Sequence, residues 1–155
     1  MNNKLIKMTS MLILSGVLLC SCAGKSSNAA ASDIISAAKT SGSTFEELES
    51  VEKADIKYYY NLDESSYSDF SAMVSGNQAY ADEIVVVKAA SSSKVSDIKK
   101  ALEERIDSRK KTLESYAPDE YQKLCDASVK TDGDYVYLVV GDDTKDALKA
   151  IKDLC

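Results

Sequence analysis

The sequence predicts an α+β fold: one small domain in which helices pack on an antiparallel sheet. Three features carry that expectation. Glu83 to Ala89, with Ile84-Val85-Val86-Val87 at its heart, reads as a buried central strand. Residues 94–116 place Val95, Ile98, Ala101, Leu102, Ile106, Leu113 and Tyr116 at the 3.6-residue period of a long amphipathic helix. Asp132-Gly133 between two β-favouring runs marks a hairpin with a type I′ turn.

The other elements follow in order. Ser32-Asp33 is expected to cap a short helix through Ile34, Ile35 and Ala38, stopped by Gly42. Thr44 to Val51, with Phe45, Leu48 and Val51 on one side, predicts a second helical turn. Ile56 to Leu62 contains Tyr58-Tyr59-Tyr60 and reads as a strand, broken by Asp63 to Ser66. Phe70 to Val74 predicts a short strand closed by Gly76-Asn77. Ser91 to Ser93 offers an N-cap for the long helix, and Asp107 with Lys111 an i,i+4 pair on its wet face. Pro118 ends that helix and stands in the first turn of the next, Asp119 to Asp126. Val129-Lys130-Thr131 and Tyr135 to Val140 are the hairpin strands. Gly141 closes the second, and Asp142 or Asp143 caps a last helix to Leu154, with Ala147, Leu148, Ile151 and Leu154 as its apolar face.

The first 21 residues read differently. Lys4 and Lys7 form a positive start, and the apolar run Met8 to Leu19 is 12 residues long, right for a signal peptide and too short to cross a bilayer. It ends in Leu19-Cys20-Ser21-Cys22, which resembles the lipobox of bacterial lipoproteins: an aliphatic residue three before the lipidated Cys and a small one directly before it. Cys22 fits that register. Cys20 does not, because Leu19 would stand where a small side chain is preferred. The competing expectation is ordinary cleavage near Ala23, which would release a free secreted protein. The sequence therefore divides into a signal peptide (1–21), a lipidated Cys with a flexible tether (22–32) and a domain (33–155). Residues 23–32 hold no large apolar side chain and have a random-coil reach of about 17 Å.

Lys4 and Lys7 are the only charged residues before Cys22. The 134 residues from Cys22 onward thus carry 17 basic and 25 acidic side chains, a net charge of −8. Such a surface repels nucleic acid and anionic lipid headgroups, so neither is expected as a partner. Beyond the anchor, Cys125 and Cys155 remain. Cys125 reads as a small buried thiol beside Leu124 and Cys155 as a frayed terminus. A disulfide between them stays open, since export would permit it.

The chain has no histidine. That removes Ser-His-Asp and Cys-His catalysis, histidine bases and nearly all catalytic zinc geometries. No glycine loop suits phosphate, and no carboxylate pair stands in an apolar setting that would raise one pKa. Asp132-Gly133-Asp134 and Asp142-Asp143 lack the ligand series of a calcium loop and read as a turn and a cap. No cofactor and no metal site is expected. Arg109 falls within the apolar stripe of the long helix and Arg105 borders it. Arg109 is a candidate to pair a buried carboxylate, stack on a tyrosine or bind an anion; the plainer reading packs its stem and leaves its head in water. Tyr58, Tyr60 and Tyr137 are candidates to present rings on a sheet face, against the plainer reading of half-buried packing.

The order of pieces is itself informative. Ala81-Asp82-Glu83-Ile84 leads into a strand, a charged helix bearing Arg105 and Arg109 runs on to Tyr116-Ala117-Pro118, and Gly133-Asp134-Tyr135-Val136 opens the final strand. This resembles small lipoproteins of Firmicutes that carry an uncharacterised region, the domain of unknown function 4358 family. The resemblance spans about residues 33–153 and departs at Asp134, where the family often has Asn. It implies no catalytic residues. It implies a Gram-positive host, with the anchor on the outer face of the cytoplasmic membrane. The expected function is a non-enzymatic binding or accessory module meeting an envelope protein or peptide. The alternatives are an envelope-acting enzyme or enzyme inhibitor that does without histidine, and a purely structural envelope protein.

Overall fold

The structure, a computed structural model, describes residues 28–155. The expected signal peptide, Cys22 and most of the expected tether lie outside the described residues. The described chain runs α1 (Ala31–Lys39), β1 (Leu48–Ser50), α2 (Ile56–Tyr60), β2 (Tyr67–Ser75), β3 (Glu83–Ala89), α3 (Val95–Leu113), α4 (Pro118–Asp126), β4 (Lys130–Asp132), β5 (Tyr135–Val140) and α5 (Lys145–Leu154). The five strands form one sheet in the order β1-β2-β3-β5-β4, and every neighbouring pair is antiparallel. This is the α+β fold the sequence predicts.

Helices cover both faces of the sheet. Val85, Val87, Val136, Leu138 and Val140 pack toward α2, α3 and α4, on Tyr60, Ile98, Leu102 and Leu124. Ile84, Val86, Tyr135, Tyr137 and Val139 pack toward α1 and α5, on Ile34, Ala38, Ala147 and Ile151. Successive strand residues point to opposite faces, so a strand covered twice must be apolar at every step. That is why Ile84 to Val87 of β3 and the whole of β5 read as unbroken Val/Ile/Leu/Tyr runs.

Two elements differ from expectation. Leu48–Ser50 is a strand, not a helical turn: Leu48, Glu49 and Ser50 pair with Ser75, Val74 and Met73 on the open edge of β2. A helical preference over so few residues is weak, and the ladder outweighs it. Ile56–Tyr60 is a helix, not a strand. Ile56 and Tyr60, four residues apart, are buried on one side, while Tyr58 stands out in water. Asn61 then stops the helix in the left-handed region at φ 53°, its N–H donating to the Lys57 carbonyl at 2.9 Å. Tyrosine's strand preference yields here to a hydrophobic pair at helical spacing.

The start of α1 also differs, while that of α5 keeps the expected Asp143 and adds a remote partner. Ser32-Asp33 does not cap α1, which starts one residue before Ser32. Its Ala31 N–H instead donates to the Asp69 carboxylate on β2 at 2.7 Å. In α5 the Ala147 N–H donates to the Ser43 hydroxyl at 3.1 Å, and Asp143 accepts from the Lys145 N–H at 3.3 Å. Both helices thus take caps from side chains remote in sequence. In α3 the i,i+4 ion pairs are Lys99–Glu103 and Lys100–Glu104. Cys125 is exposed, contrary to the buried thiol expected. Both it and Cys155 are free, and burial, with Asp132 nearby, pushes the Cys155 thiol up to about 11.

The hairpin lies where expected with a different turn. Asp132 pairs with Tyr135, so the loop is Gly133-Asp134. Only Gly133 of the two has positive φ, 53°, whereas a type I′ turn needs it at both positions. The signs match type II′. A Cβ at Gly133 would meet no atom within 4 Å, so the demand there is conformational alone. Gly133→Val is expected to cost about 1–2 kcal/mol and Gly133→Asn distinctly less. Urea midpoints of the two variants check this, and equal midpoints would count against it.

Candidate functional site

Asp82 and Glu83, at the head of β3, are the buried acids among the described residues. Glu83 shares strand parity with Val85 and Val87 and so belongs to the face under α3. One turn of that helix delivers Arg105, whose Nη2 and Nε donate to the Glu83 carboxylate at 3.0 and 3.2 Å. The guanidinium also lies 5.2 Å from the Tyr59 ring and 5.7 Å from the Tyr60 ring. Burial alone would lower the Arg105 pKa; the Glu83 charge outweighs it, and the net shift is upward. Under this pair the Tyr60 hydroxyl is buried without a hydrogen-bond partner among the described residues. Burial first, and Glu83 second, raise its pKa well above the ordinary value.

Arg109, one turn on, is held differently. Its Nη2 donates to the backbone carbonyls of Gln78 at 3.0 Å and Tyr80 at 2.8 Å, which belong to the β2–β3 loop. No carboxylate pairs with it among the described residues. Burial and then Arg105 lower its pKa. Between the two arginines, the loop and α2 lies a cavity of about 190 Å³, bounded by Tyr58, Tyr59, Tyr80, Glu83, Arg105 and Arg109. Tyr58 stands at its rim with 84% of its surface exposed.

A second polar cluster adjoins it. The Lys123 ammonium of α4 meets Asp82 at 3.0 Å, Glu120 at 3.0 Å and Asp142 at 3.3 Å. Burial opposes its charge, but the hydrogen bonds it donates to Asp82 and Glu120 prevail and raise its pKa. The three carboxylates thus surround a cation supplied by the chain itself. Among the described residues no group of three or more acidic or cysteine side chains is set to hold a metal ion.

The cavity brings together two of the four candidates named from sequence, Tyr58 and Arg109. Tyr60 packs beneath them and is buried, so its ring is not presented to a ligand. Tyr137 lies on the other face of the sheet, buried with Tyr135 and Val139. It borders a separate hollow of about 550 Å³ between β4 and α5, with Leu148 and Lys149. Strand pairing does not unite the tyrosines on one face, because Tyr58 and Tyr60 belong to a helix. Of the roles weighed for Arg109, Arg105 performs two, pairing the buried carboxylate and contacting the tyrosine rings. Glu83 and Lys123 were missed from sequence. The available signal was an acid pair, Asp82-Glu83, directly before the apolar run Ile84 to Val87, where two charges need partners.

Neither a curated protein nor a solved structure matches the chain. The family described as domain of unknown function DUF4358 matches residues 41–141. The match takes in β1 through β5 with the whole cavity. It is narrower than the span of the sequence resemblance and leaves α1 and α5 outside. With about two thirds of its length matched, the chain belongs to the family defined by this domain of unknown function, DUF4358.

Proposed function

We propose that this protein is a lipid-anchored binding or accessory module on the outer face of the cytoplasmic membrane. The observation that carries the reading is Leu19-Cys20-Ser21-Cys22 at the end of a 12-residue apolar run. Bacterial lipoproteins carry at least two acyl chains, enough for stable attachment where one chain gives only reversible binding. No helix among the described residues is long and apolar enough to cross a membrane, so attachment in this reading rests on the lipid.

Binding rather than catalysis is the favoured role because the buried acids are already engaged. Glu83 is bonded to Arg105 and Asp82 to Lys123, and each cation would have to be displaced before its acid could move a proton. The open feature is the tyrosine-rimmed cavity beside Arg109. In the test, cells are labelled with a lipid precursor and fractionated. The protein is expected to carry the label and sediment with membranes, and Cys22→Ala to lose both. An unlabelled protein whose membrane fraction is unchanged by Cys22→Ala would overturn the reading.

A further inference from the structure

We infer that the cavity between α2, α3 and the β2–β3 loop is a binding site for a carboxylate on a unit about the size of one amino acid, with Arg109 as its anion-binding group. The argument begins with charge. The two buried acids beside the cavity each have a cation: Glu83 has Arg105, and Asp82 has Lys123, which Glu120 and Asp142 share. Arg109 alone meets only two backbone carbonyls, although 25 acidic residues in the chain could have supplied a partner.

Those carbonyls do more than satisfy it. A guanidinium has five N–H donors, and both contacts fall on Nη2. Nε and Nη1 are left without a protein partner among the described residues, on a side chain the loop already holds in place. A donor group fixed before its ligand arrives loses little entropy on binding. A half-buried arginine that bonds an anion also gains more than one in water, because such bonds are charge-assisted and poorly screened.

The surroundings narrow the anion. One uncompensated positive charge matches a monoanion. A phosphate dianion would bring a second negative charge toward Glu83 and Asp82. A volume of about 190 Å³ lies below the usual range for ligand pockets, roughly 300–1,000 Å³, and suits a single small unit. The exposed Tyr58 ring at the rim offers a flat apolar face to whatever follows the carboxylate.

The position of the cavity agrees with this use and, on this point, rests on the anchor at Cys22. Where the described chain begins, Asn28 accepts from Lys88 at 3.1 Å and the Ala29 carbonyl accepts from the Tyr135 hydroxyl at 2.7 Å. Both contacts lie at the far end of β3 from Glu83, about 17 Å along the strand. The tether therefore leaves from one end of the sheet, and the cavity opens at the other.

To test this, the full chain in detergent micelles, with ¹⁵N-labelled arginine, is titrated with N-acetylglycine, with N-acetylglycinamide and with sodium phosphate. The acid is expected to shift the Arg109 Nε–H resonance saturably and the amide not to. Arg109→Gln should weaken acid binding at least tenfold, and Tyr58→Ala a few-fold. Tyr58 is so exposed that its replacement leaves the fold intact, which keeps the test decisive if Arg109→Gln misfolds. Absence of a saturable shift with the acid, equal binding of the amide, tighter binding of phosphate, or unchanged binding in Tyr58→Ala would each overturn the assignment. Cys22→Ala separates the two readings: it should remove membrane attachment and leave acid binding unchanged.

Discussion

Removing the Arg105 guanidinium is expected to destabilise the domain by about 3–5 kcal/mol, a large share of the stability of a small domain. Arg105→Ala leaves the Glu83 carboxylate, 3% exposed, with no cation in bonding range and the Tyr60 hydroxyl beside it. It also strips a planar group from the Tyr59 and Tyr60 rings. The double variant Glu83→Leu with Arg105→Met removes both charges and should recover to within about 1 kcal/mol of the parent, since an apolar pair of similar volume avoids the desolvation cost. Urea unfolding at pH 7.5 followed by tyrosine fluorescence measures all three proteins. A loss below about 1 kcal/mol in Arg105→Ala, or a double variant no better than the single, would refute this account of the pair.

The second large effect is expected at Lys123. Lys123→Met leaves Asp82, Glu120 and Asp142 facing one another with no cation, and the Asp82 side chain is 1% exposed. About 3–5 kcal/mol should be lost at neutral pH. The pH dependence of the parent follows from the lysine itself. The Lys123 pKa is raised in the folded state, so its contribution is fully present below the ordinary lysine value of 10.5 and declines only as pH climbs above it. Between pH 5 and 9 that contribution is flat. Urea unfolding of the parent at pH 7, 9 and 11, with the variant at pH 7, measures both effects. A parent no less stable at pH 11 than at pH 9, or a loss below about 1 kcal/mol in the variant, would contradict the arrangement.

These two pairings were largely invisible in the sequence, for a physical reason. Asp82-Glu83 and Arg105 are more than twenty residues apart, and Lys123 is about forty from Asp82. Nothing local distinguishes them from the solvated charges around them. Arg109 was legible as an arginine in an apolar stripe, yet its partners are backbone carbonyls, which no side-chain pattern reports. Tyr58 was found for the wrong reason: it is exposed because α2 turns it outward from Tyr60, not because a strand lays both rings on one face. Tyr137 was misplaced because an alternating tyrosine pattern looks the same whether the second face of a sheet is open or covered. Here α1 and α5 cover it.

The elements that the chain alone determined are β3, α3, α4, β5 and α5. Each has an apolar period long enough to outweigh local competition, and each end falls close to a capping or breaking residue. The export and anchor motif around Cys22 belongs with them as an expectation, because it too is a short contiguous pattern. The tertiary structure decided the rest. β1 is a strand because β2 has an open edge, α2 is a helix because Ile56 and Tyr60 share a buried site, and α1 begins where Asp69 can cap it. The buried acids are tolerable because α3 and α4 bring Arg105 and Lys123 over the head of β3. A short element or a single charge gains too little from its own neighbours to settle its state, so the decision passes to contacts that exist only once the sheet has formed.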